Sequence, residues 1–538
     1  MIGAFFSKWG ERAKSRFGPG AWHMRRQPVI WFLALLLGIA VAYAAIVFRL
    51  GIEAVTVLFY GANEATLFSV TSQMPWWQIL ILPTVGGALV GLLLHFFVPE
   101  KRAHAVFDVI EARALKGGRM DVGVGLRSAA ITAVSLGVGG SAGREGPVVH
   151  LGATLGSHIS QRLGYPARLN RILLGCGVAA AISASFNAPL AGVIFALEVI
   201  LGHYALRAFA PIVISSVVAA VISRIHLGDF PAFVVPPHEF GSYWQMPAFA
   251  VLGIVGAGVA MLFMRTAIWA EDKAAPLPIP LWARPIIGGF LIGLIAIFFP
   301  QVLGVGYEAT DTALREGFGF YLLIGLIAAK IAATAITLAS RFGGGVFSPS
   351  LYLGAMTGGA FGIVAATVLP AGVATEGVYA MIGMGTVAAA VLGAPISTVL
   401  IVFELTGDYA IMIALMVAVS ISTLVTQSLM GHSYFQWQLE RRGFDQRSGA
   451  PVALLKTIRV RDFMEPPPQH GGEGPDGPIL YPDATLERTL DLMESRHLHE
   501  ITVWTSDEEP KLVGLVRRET ALKAYNSALI EAHIEEHR

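Results

Sequence analysis

Gly139-Gly-Ser-Ala-Gly-Arg-Glu-Gly-Pro-Val-Val-His-Leu-Gly-Ala153 has a counterpart in Gly343-Gly-Gly-Val-Phe-Ser-Pro-Ser-Leu-Tyr-Leu-Gly-Ala355. Gly143, Pro147, Leu151, Gly152 and Ala153 recur at the same spacing as Gly345, Pro349, Leu353, Gly354 and Ala355, with the two prolines 202 positions apart. A second echo follows in the same order: Ala188-Pro189 nine residues before Glu198, and Ala394-Pro395 nine residues before Glu404. The chain is therefore a duplication. Gly/Pro-interrupted apolar segments at matching places in two halves point to a transport site near a bilayer midplane, built from broken helices.

Composition places the chain in lipid. Of its 538 residues 54% are hydrophobic and only 14% charged, at a mean hydropathy of +0.63, too few charges for a soluble protein of this size. Apolar runs long enough to cross a hydrocarbon core occupy Pro28 to Phe48, Trp76 to Val98 and Pro247 to Met264, with a shorter run at Pro285 to Phe299. From Leu126 to Ile225 and from Phe320 to Met430, Gly, Pro or Asn cut the apolar stretches. Such part-way or tilted helices are tolerated where their ends are buried in protein or face a cavity. The net charge of +1 is spread over loops and ends, so nothing points to nucleic acid.

Lys8, Arg12, Lys14, Arg16, Arg25 and Arg26 oppose only Glu11, which places the N-terminal end in the cytoplasm. The first apolar run is too long for a signal peptide's core and no small-residue cleavage site follows it. Cys176 lies in an apolar stretch and reads as packing. Residues 1–27 read as a cytoplasmic amphipathic helix, with Phe5, Phe6, Trp9, Ala13 and Phe17 near helical spacing. A membrane domain at 28–445 holds repeats of about 28–228 and 244–441, joined by a loop at Phe230 to Gln245. A soluble α/β module follows at 455–530. In it, Thr457 to Met464 predicts a strand and turn, and Pro466 to Pro478 a loop. Leu486, Leu490 and Met493 predict a helix, Glu500 to Thr505 and Leu512 to Val516 strands, and a last helix runs to about Leu529.

Pro147 and Pro349 each mark a helix start, where proline is favoured, and the preceding glycines free the backbone to bend. Two helix starts facing each other would offer N–H groups and positive dipole ends to an anion, with no metal required. The alternative is that small residues merely permit close helix packing. Two residues before the prolines the copies differ, Glu145 against Phe347. A carboxylate inside a membrane is expensive and by default a functional candidate. Glu145 can occupy the anion position when ionised and vacate it when protonated, acting as gate and proton carrier; the competing reading is a surface salt bridge to Arg144.

At these segments, Gly139 to Pro147, Phe186-Asn-Ala-Pro-Leu-Ala-Gly192 and Gly345-Val-Phe-Ser-Pro349, the chain resembles the CLC family of chloride channels and chloride–proton antiporters over about residues 30 to 441. The resemblance implies an all-α polytopic membrane protein with an inverted repeat of tilted and broken helices. It further implies a homodimer in the plasma membrane (the bacterial inner membrane), with both termini cytoplasmic and one anion pathway per subunit. Glu145 becomes the gating and proton-transfer residue. Arg144, Gly146, Val346, Phe347 and Ser348 become anion ligands, chiefly through backbone N–H groups. The tail resembles a single CBS module, a type that works in pairs, so its partner would come from the second subunit. Arg517 and Thr520 after Gly514-Leu-Val depart from the nucleotide-binding pattern of such modules, which argues against nucleotide sensing.

Three departures bear on mechanism. In Ala103-His-Ala-Val-Phe107, His104 stands where the family has an anion-binding serine; it can donate one hydrogen bond when neutral and add charge when protonated, or simply pack. Val199 stands where many exchangers have an inner proton-transfer glutamate, so the inner proton site is absent. The family's central tyrosine aligns with Phe435, or with Tyr434 after a one-residue shift. Glu198 and Glu404 read as structural, capping helices or pairing with basic residues, and Arg207, His150, His203 and Arg171 as interfacial anchors or buried partners. The implied function is transport of chloride or another small monovalent anion with some proton-coupled exchange, the alternative being a passive gated channel. A hydrolase using Ser141 or His150 with Glu145 finds no nucleophile elbow, H-E-x-x-H or paired aspartates in support. A scaffold whose tail does the work is the third class. No cofactor or metal is expected.

Overall fold

A computed structural model of the chain describes residues 27–228, 243–369, 374–443, 455, 458–467, 478–505 and 511–537. The expected amphipathic helix at 1–27 lies outside these apart from Gln27, as do most of the 230–245 join and most of the 466–478 loop.

The first half runs through α1 (Gln27–Tyr60), the short α2 (Leu67–Thr71), α3 (Trp76–Phe97), α4 (Val106–Leu115) and α5 (Val122–Gly137). It continues through α6 (Glu145–Arg162), α7 (Ala167–Phe186), α8 (Pro189–Phe195, running on as a π turn over Ala196–Leu201) and α9 (Leu206–Leu227). The second half has α10 (Met246–Ala274), α11 (Arg284–Phe298), α12 (Tyr307–Leu314), α13 (Phe320–Ala339) and α14 (Phe347–Val368). Then come α15 (Glu376–Leu392), α16 (Pro395–Thr406), α17 (Tyr409–Met430) and α18 (Tyr434–Glu440). Eight apolar segments among the described residues are long enough to cross a bilayer, and shorter apolar helices such as Pro395–Thr406 lie between them.

The duplication is structural. α4, α5, α6, α7, α8 and α9 correspond in order to α12, α13, α14, α15, α16 and α17, and α6 and α14 begin 202 positions apart. Pro147 and Pro349 fall at the third helical residue rather than the first; no intrahelical bond is lost, because the first-turn N–H groups have no partner in the helix. The turns between paired helices match as well: Asn187 and Gly393 both adopt left-handed backbone after α7 and α15.

Contacts between the halves are reciprocal, as a twofold relation requires. Glu198, at the end of α8, accepts hydrogen bonds from the Ile396 and Ser397 amides at 3.1 and 2.8 Å, capping α16. Glu404, on α16, accepts from the Leu190 and Ala191 amides at 2.9 and 2.8 Å, capping α8. α6 packs on α7, and α14 on α15, through glycines. A methyl group on Gly152 would stand 2.3 Å from the Gly177 carbonyl oxygen, and one on Gly354 2.3 Å from that of Gly383. Only bare backbone fits such crossings. α6, α7, α14 and α15 are buried along most of their length, while α1, α3, α9 and α11 expose Leu58, Phe96, Leu206 and Phe298, the surface that lipid covers.

The tail has its own small core of Val460, Leu486, Met493, Ile501, Val503 and Val516. α19 (Leu486–Ser495), β1 (Glu500–Trp504), β2 (Leu512–Arg517) and α20 (Arg518–His537) follow in the expected order, with β1 and β2 antiparallel. Of the strand and turn expected over 457–464, the described residues from 458 onward show the turn, a 3-10 turn at Val460–Asp462, and in place of the strand only single bridges of Arg459 to Thr485 and Glu465 to Leu515. Asp462 accepts a hydrogen bond from the Arg459 amide at 3.0 Å and bends the chain there.

Candidate functional site

The starts of α6 and α14 meet. Gly143 and Gly345 exchange both backbone hydrogen bonds, at 2.7 and 2.8 Å, across a local antiparallel bridge. A methyl group on Gly143 would lie 2.8 Å from Oε2 of Glu145 and 2.9 Å from the Ser348 amide nitrogen. The two glycines therefore bring the helix starts, and their positive dipole ends, onto one point. α4 arrives from a third side: the Cβ direction of Gly146 meets Ala105 and Val106 at 3.8 Å.

Glu145, at the first position of α6, is only 1% exposed. Its Oε1 accepts hydrogen bonds from the Ser348 hydroxyl at 2.5 Å and the Tyr307 hydroxyl at 2.9 Å, and its Oε2 has no partner. The carboxylate thus takes its bonds from two hydroxyls, not from the amides of Val346 and Phe347. Arg144 does not pair with Glu145; its Nη1 meets Glu64 Oε2 at 2.7 Å, and its guanidinium lies 4.5 Å from the Tyr307 ring centre. Phe347, the repeat mate of Glu145, turns into an aromatic cluster with Phe186 and Phe195, ring centres 5.1 and 5.9 Å away. One helix start carries a carboxylate and the other a greasy plug.

Above Glu145, at the end of α1 farthest from residue 27, Thr56, Glu64, Gln301, Tyr307 and Glu308 help line a narrow cleft. On the opposite side, His104 leads into α4. Its Nδ1 is 3.7 Å from Asp108 Oδ1, its Nε2 3.6 Å from Glu100 Oε2, and its ring centre 5.1 Å from that of His150. Arg102 grips Asp108 with both ends of its fork, at 2.6 and 3.0 Å, and Arg442 adds a third bond at 3.0 Å. Burial opposes the charge on Asp108, but Arg102 outweighs it and holds the carboxyl well below the usual range. Burial lowers the pKa of His104, against the pull of Asp108, so the imidazole is neutral near pH 7.

The remaining predicted residues are placed as follows. The Tyr434 hydroxyl donates to Glu271 Oε1 at 2.9 Å and accepts from Gln438 at 3.0 Å, so its one proton is committed to a carboxylate. Phe435 is buried beside it and has no donor to offer. Val199 sits buried in the π turn, next to Glu198, whose carboxylate caps α16. The Ser141 hydroxyl is buried without a hydrogen-bond partner while the His150 ring lies against His104, so the two do not form a nucleophile and base. Cys176 is buried.

Tyr307, Glu64 and Asp108 were not legible as site residues in the sequence. For Tyr307 a signal existed: it lies 202 positions after Ala105, so it opens the second copy of the helix that His104 and Ala105 lead into.

A model of the voltage-gated chloride channel family matches residues 86–427. The chain belongs to this family. A provisionally named ClcB-like chloride channel protein of Ralstonia nicotianae is 32% identical over 393 residues, covering 72% of this chain and 91% of that protein. The voltage-gated ClC-type chloride channel ClcB of Escherichia coli O81 is 29% identical over 412 residues, covering 75% and 97%. Among solved structures, a slow cyanobacterial Cl⁻/H⁺ antiporter matches with a TM-score of 0.66 at 22% identity, over 77% of this chain and 97% of that one. The last likeness bears on the fold alone. Membership of the chloride channel family makes the chain a multi-pass membrane protein that conducts or exchanges ions, and not an enzyme.

Proposed function

We propose that this protein moves chloride, or a similarly small monovalent anion, across the membrane through a pathway gated by Glu145, and exchanges it for protons. The observation that carries this reading is the buried carboxylate held by Tyr307 and Ser348 where the starts of α6 and α14 converge. Two positive dipole ends and two hydroxyl donors suit a bound anion as well as they suit a carboxylate. The ionised side chain and a free anion therefore compete for one place, and protonation of Glu145 releases it. Arg144, Gly146, Val346, Phe347 and Ser348 surround that place. His104 and Phe435 would border its inner side, with Tyr434 held by Glu271. Relatives named as chloride channels, and a fold shared with a chloride–proton antiporter, support the choice of ion.

A reversal-potential measurement in liposomes under opposed chloride and proton gradients tests it. Exchange predicts a reversal potential displaced from the chloride value toward the proton one, and Glu145→Gln should bring it back. Reversal at the chloride value in the unmodified protein would establish the second reading, a passive gated channel. One observation favours that alternative: Val199 offers no inner carboxylate, and Glu198 beside it is spent on the α16 cap. His104→Ser, in a flux series over halides and nitrate, tests whether the imidazole sets anion preference.

The same reading makes the protein a homodimer in a bacterial inner membrane, with both termini in the cytoplasm and the membrane domain at 28–445. The tail at 455–530 is a CBS-like module paired with its copy in the second subunit. Sedimentation of the purified protein tests the dimer.

A further inference from the structure

We infer that Tyr307 is the latch of the gate: its hydroxyl holds the Glu145 carboxylate in the closed position, and the bond breaks on opening. This rests on the reading of Glu145 given above. Three independent features of the geometry support it.

The first is the bond itself, 2.9 Å from the Tyr307 hydroxyl to Oε1, in a place where both groups are buried. The second is how rigidly Tyr307 is presented. It opens α12 directly after Gly306, whose φ of +94° turns the chain sharply. The turn before it is tied down by Lys330, whose ammonium is buried in α13 and donates to the carbonyls of Val302, Gly304 and Val305 at 3.2, 3.2 and 3.4 Å. The ring is then covered by Arg144, which Glu64 anchors from the cleft. The third is symmetry. α12 is the repeat mate of α4, so Tyr307 reaches the pocket from the outer side at the station that Ala105 and Val106 occupy on the inner side. The two copies of one loop flank the pocket, and only the outer one places a hydroxyl on the gate.

The bond between the Tyr307 hydroxyl and the carboxylate must break before the side chain can leave its place, so the latch resists opening. The charged and titratable groups around Glu145 and its latch are Arg144 on the same loop, Arg49, Glu53 and Glu64 from the α1 side, Tyr307 on α12, and His150 further along α6. Tyr307→Phe removes the hydroxyl, keeps the ring under Arg144, and leaves these charges in place.

The test is anion flux by the full-length protein in liposomes as a function of pH. Tyr307→Phe should raise flux at pH 7.5 by about three- to tenfold and move the midpoint of its pH dependence upward by about half to one unit, the size expected for one hydrogen bond of ordinary net strength. Ser348→Ala should shift the midpoint the same way, which keeps the test open should Tyr307→Phe fold poorly. In a Glu145→Gln background, Tyr307→Phe should change flux by less than about 1.5-fold, since the latch has nothing charged to hold. An unshifted profile in Tyr307→Phe, or an undiminished effect in the Glu145→Gln background, overturns the latch. If Glu145→Gln itself leaves flux and its pH dependence untouched, the gate reading fails and the latch falls with it.

Discussion

Replacing Glu198 separates a structural carboxylate from a proton carrier. Its two oxygens accept from the Ile396 and Ser397 amides, and Oε2 also from the Ser397 hydroxyl at 2.5 Å, so it acts as an N-terminal cap supplied by the other repeat. Loss of an N-cap costs about 0.5–2 kcal/mol, and a hydrogen bond to a charged group about 1.5–3 kcal/mol before solvent screening. Glu198 is half-buried, so the lower part of that range applies: about 2 kcal/mol for Glu198→Ala and about 1 kcal/mol for Glu198→Gln, which keeps one acceptor oxygen. Glu404 makes the mirror-image cap on α8, and its substitutions should cost the same within about 0.5 kcal/mol. The assay is the thermal melting midpoint of both pairs in one detergent, alongside the proton-to-chloride ratio in liposomes. Matched losses of stability with an unchanged ratio are expected. A Glu198→Gln protein that melts like the parent but has lost proton coupling would refute the assignment.

Other substitutions probe the scaffold. Gly177→Ala places a methyl group 2.0 Å from the Gly152 carbonyl oxygen and should forfeit at least about 2 kcal/mol, read as a lower melting midpoint. Gly258→Ala in α10, where the new methyl meets nothing within 4 Å, should gain about 0.5–1 kcal/mol. The depressed pKa of Asp108 stabilises the fold fully above the ordinary carboxylate value near 4 and is lost as pH falls below it. Asp108→Asn should therefore melt lower at pH 7 and show a shallower acid decline, checked by melting between pH 3 and 7. Cys176, buried and alone, should resist a water-soluble maleimide until the protein unfolds, so labelling that is complete in the native state would contradict its placement.

The duplication was legible because it is carried by residues that backbone geometry dictates: Gly143 and Gly345 at the bridge, Pro147 and Pro349 in the first turns, Gly152 and Gly354 at helix crossings. Glu145 stood out because a membrane-interior carboxylate needs a reason. The capping role read for Glu198 and Glu404 is present, but that each caps the opposite repeat follows only from the way the halves interlock, some 200 positions apart in the chain. Tyr307, Arg102 and Asp108 are ordinary residues at loop ends, and their importance comes from tertiary neighbours such as Arg442, which lies 334 residues beyond Asp108. The tail's turn was legible but the strand before it was not realised, because Asp462 competes locally for the Arg459 amide and defeats a strand pattern that its valine and isoleucine suggest.

A twofold scaffold built from two copies of one sequence offers the same surroundings from both membrane faces, and an ion pathway with a gate needs them to differ. The differences fall at two paired stations while the framework stays matched. Glu145 faces Phe347 across the Gly143–Gly345 bridge, so charge is placed on one helix start and excluded from the other by Phe186 and Phe195. Tyr307 and its repeat mate Ala105 differ in the same way, and only the copy with Tyr307 puts a hydroxyl on the carboxylate. Glu198 and Glu404 remain alike, because they hold the halves together and the scaffold requires both. On the proposed topology, the carboxylate and the hydroxyl lie where the outer cleft ends, and a proton or anion from that side would meet Tyr307 and Glu145 before reaching His104. If that ordering governs gating, flux in Tyr307→Phe should become less sensitive to external pH than to internal pH, a difference that asymmetric buffering of oriented vesicles resolves. Equal loss of sensitivity on both faces would mean the asymmetry of these stations does not set the direction of control.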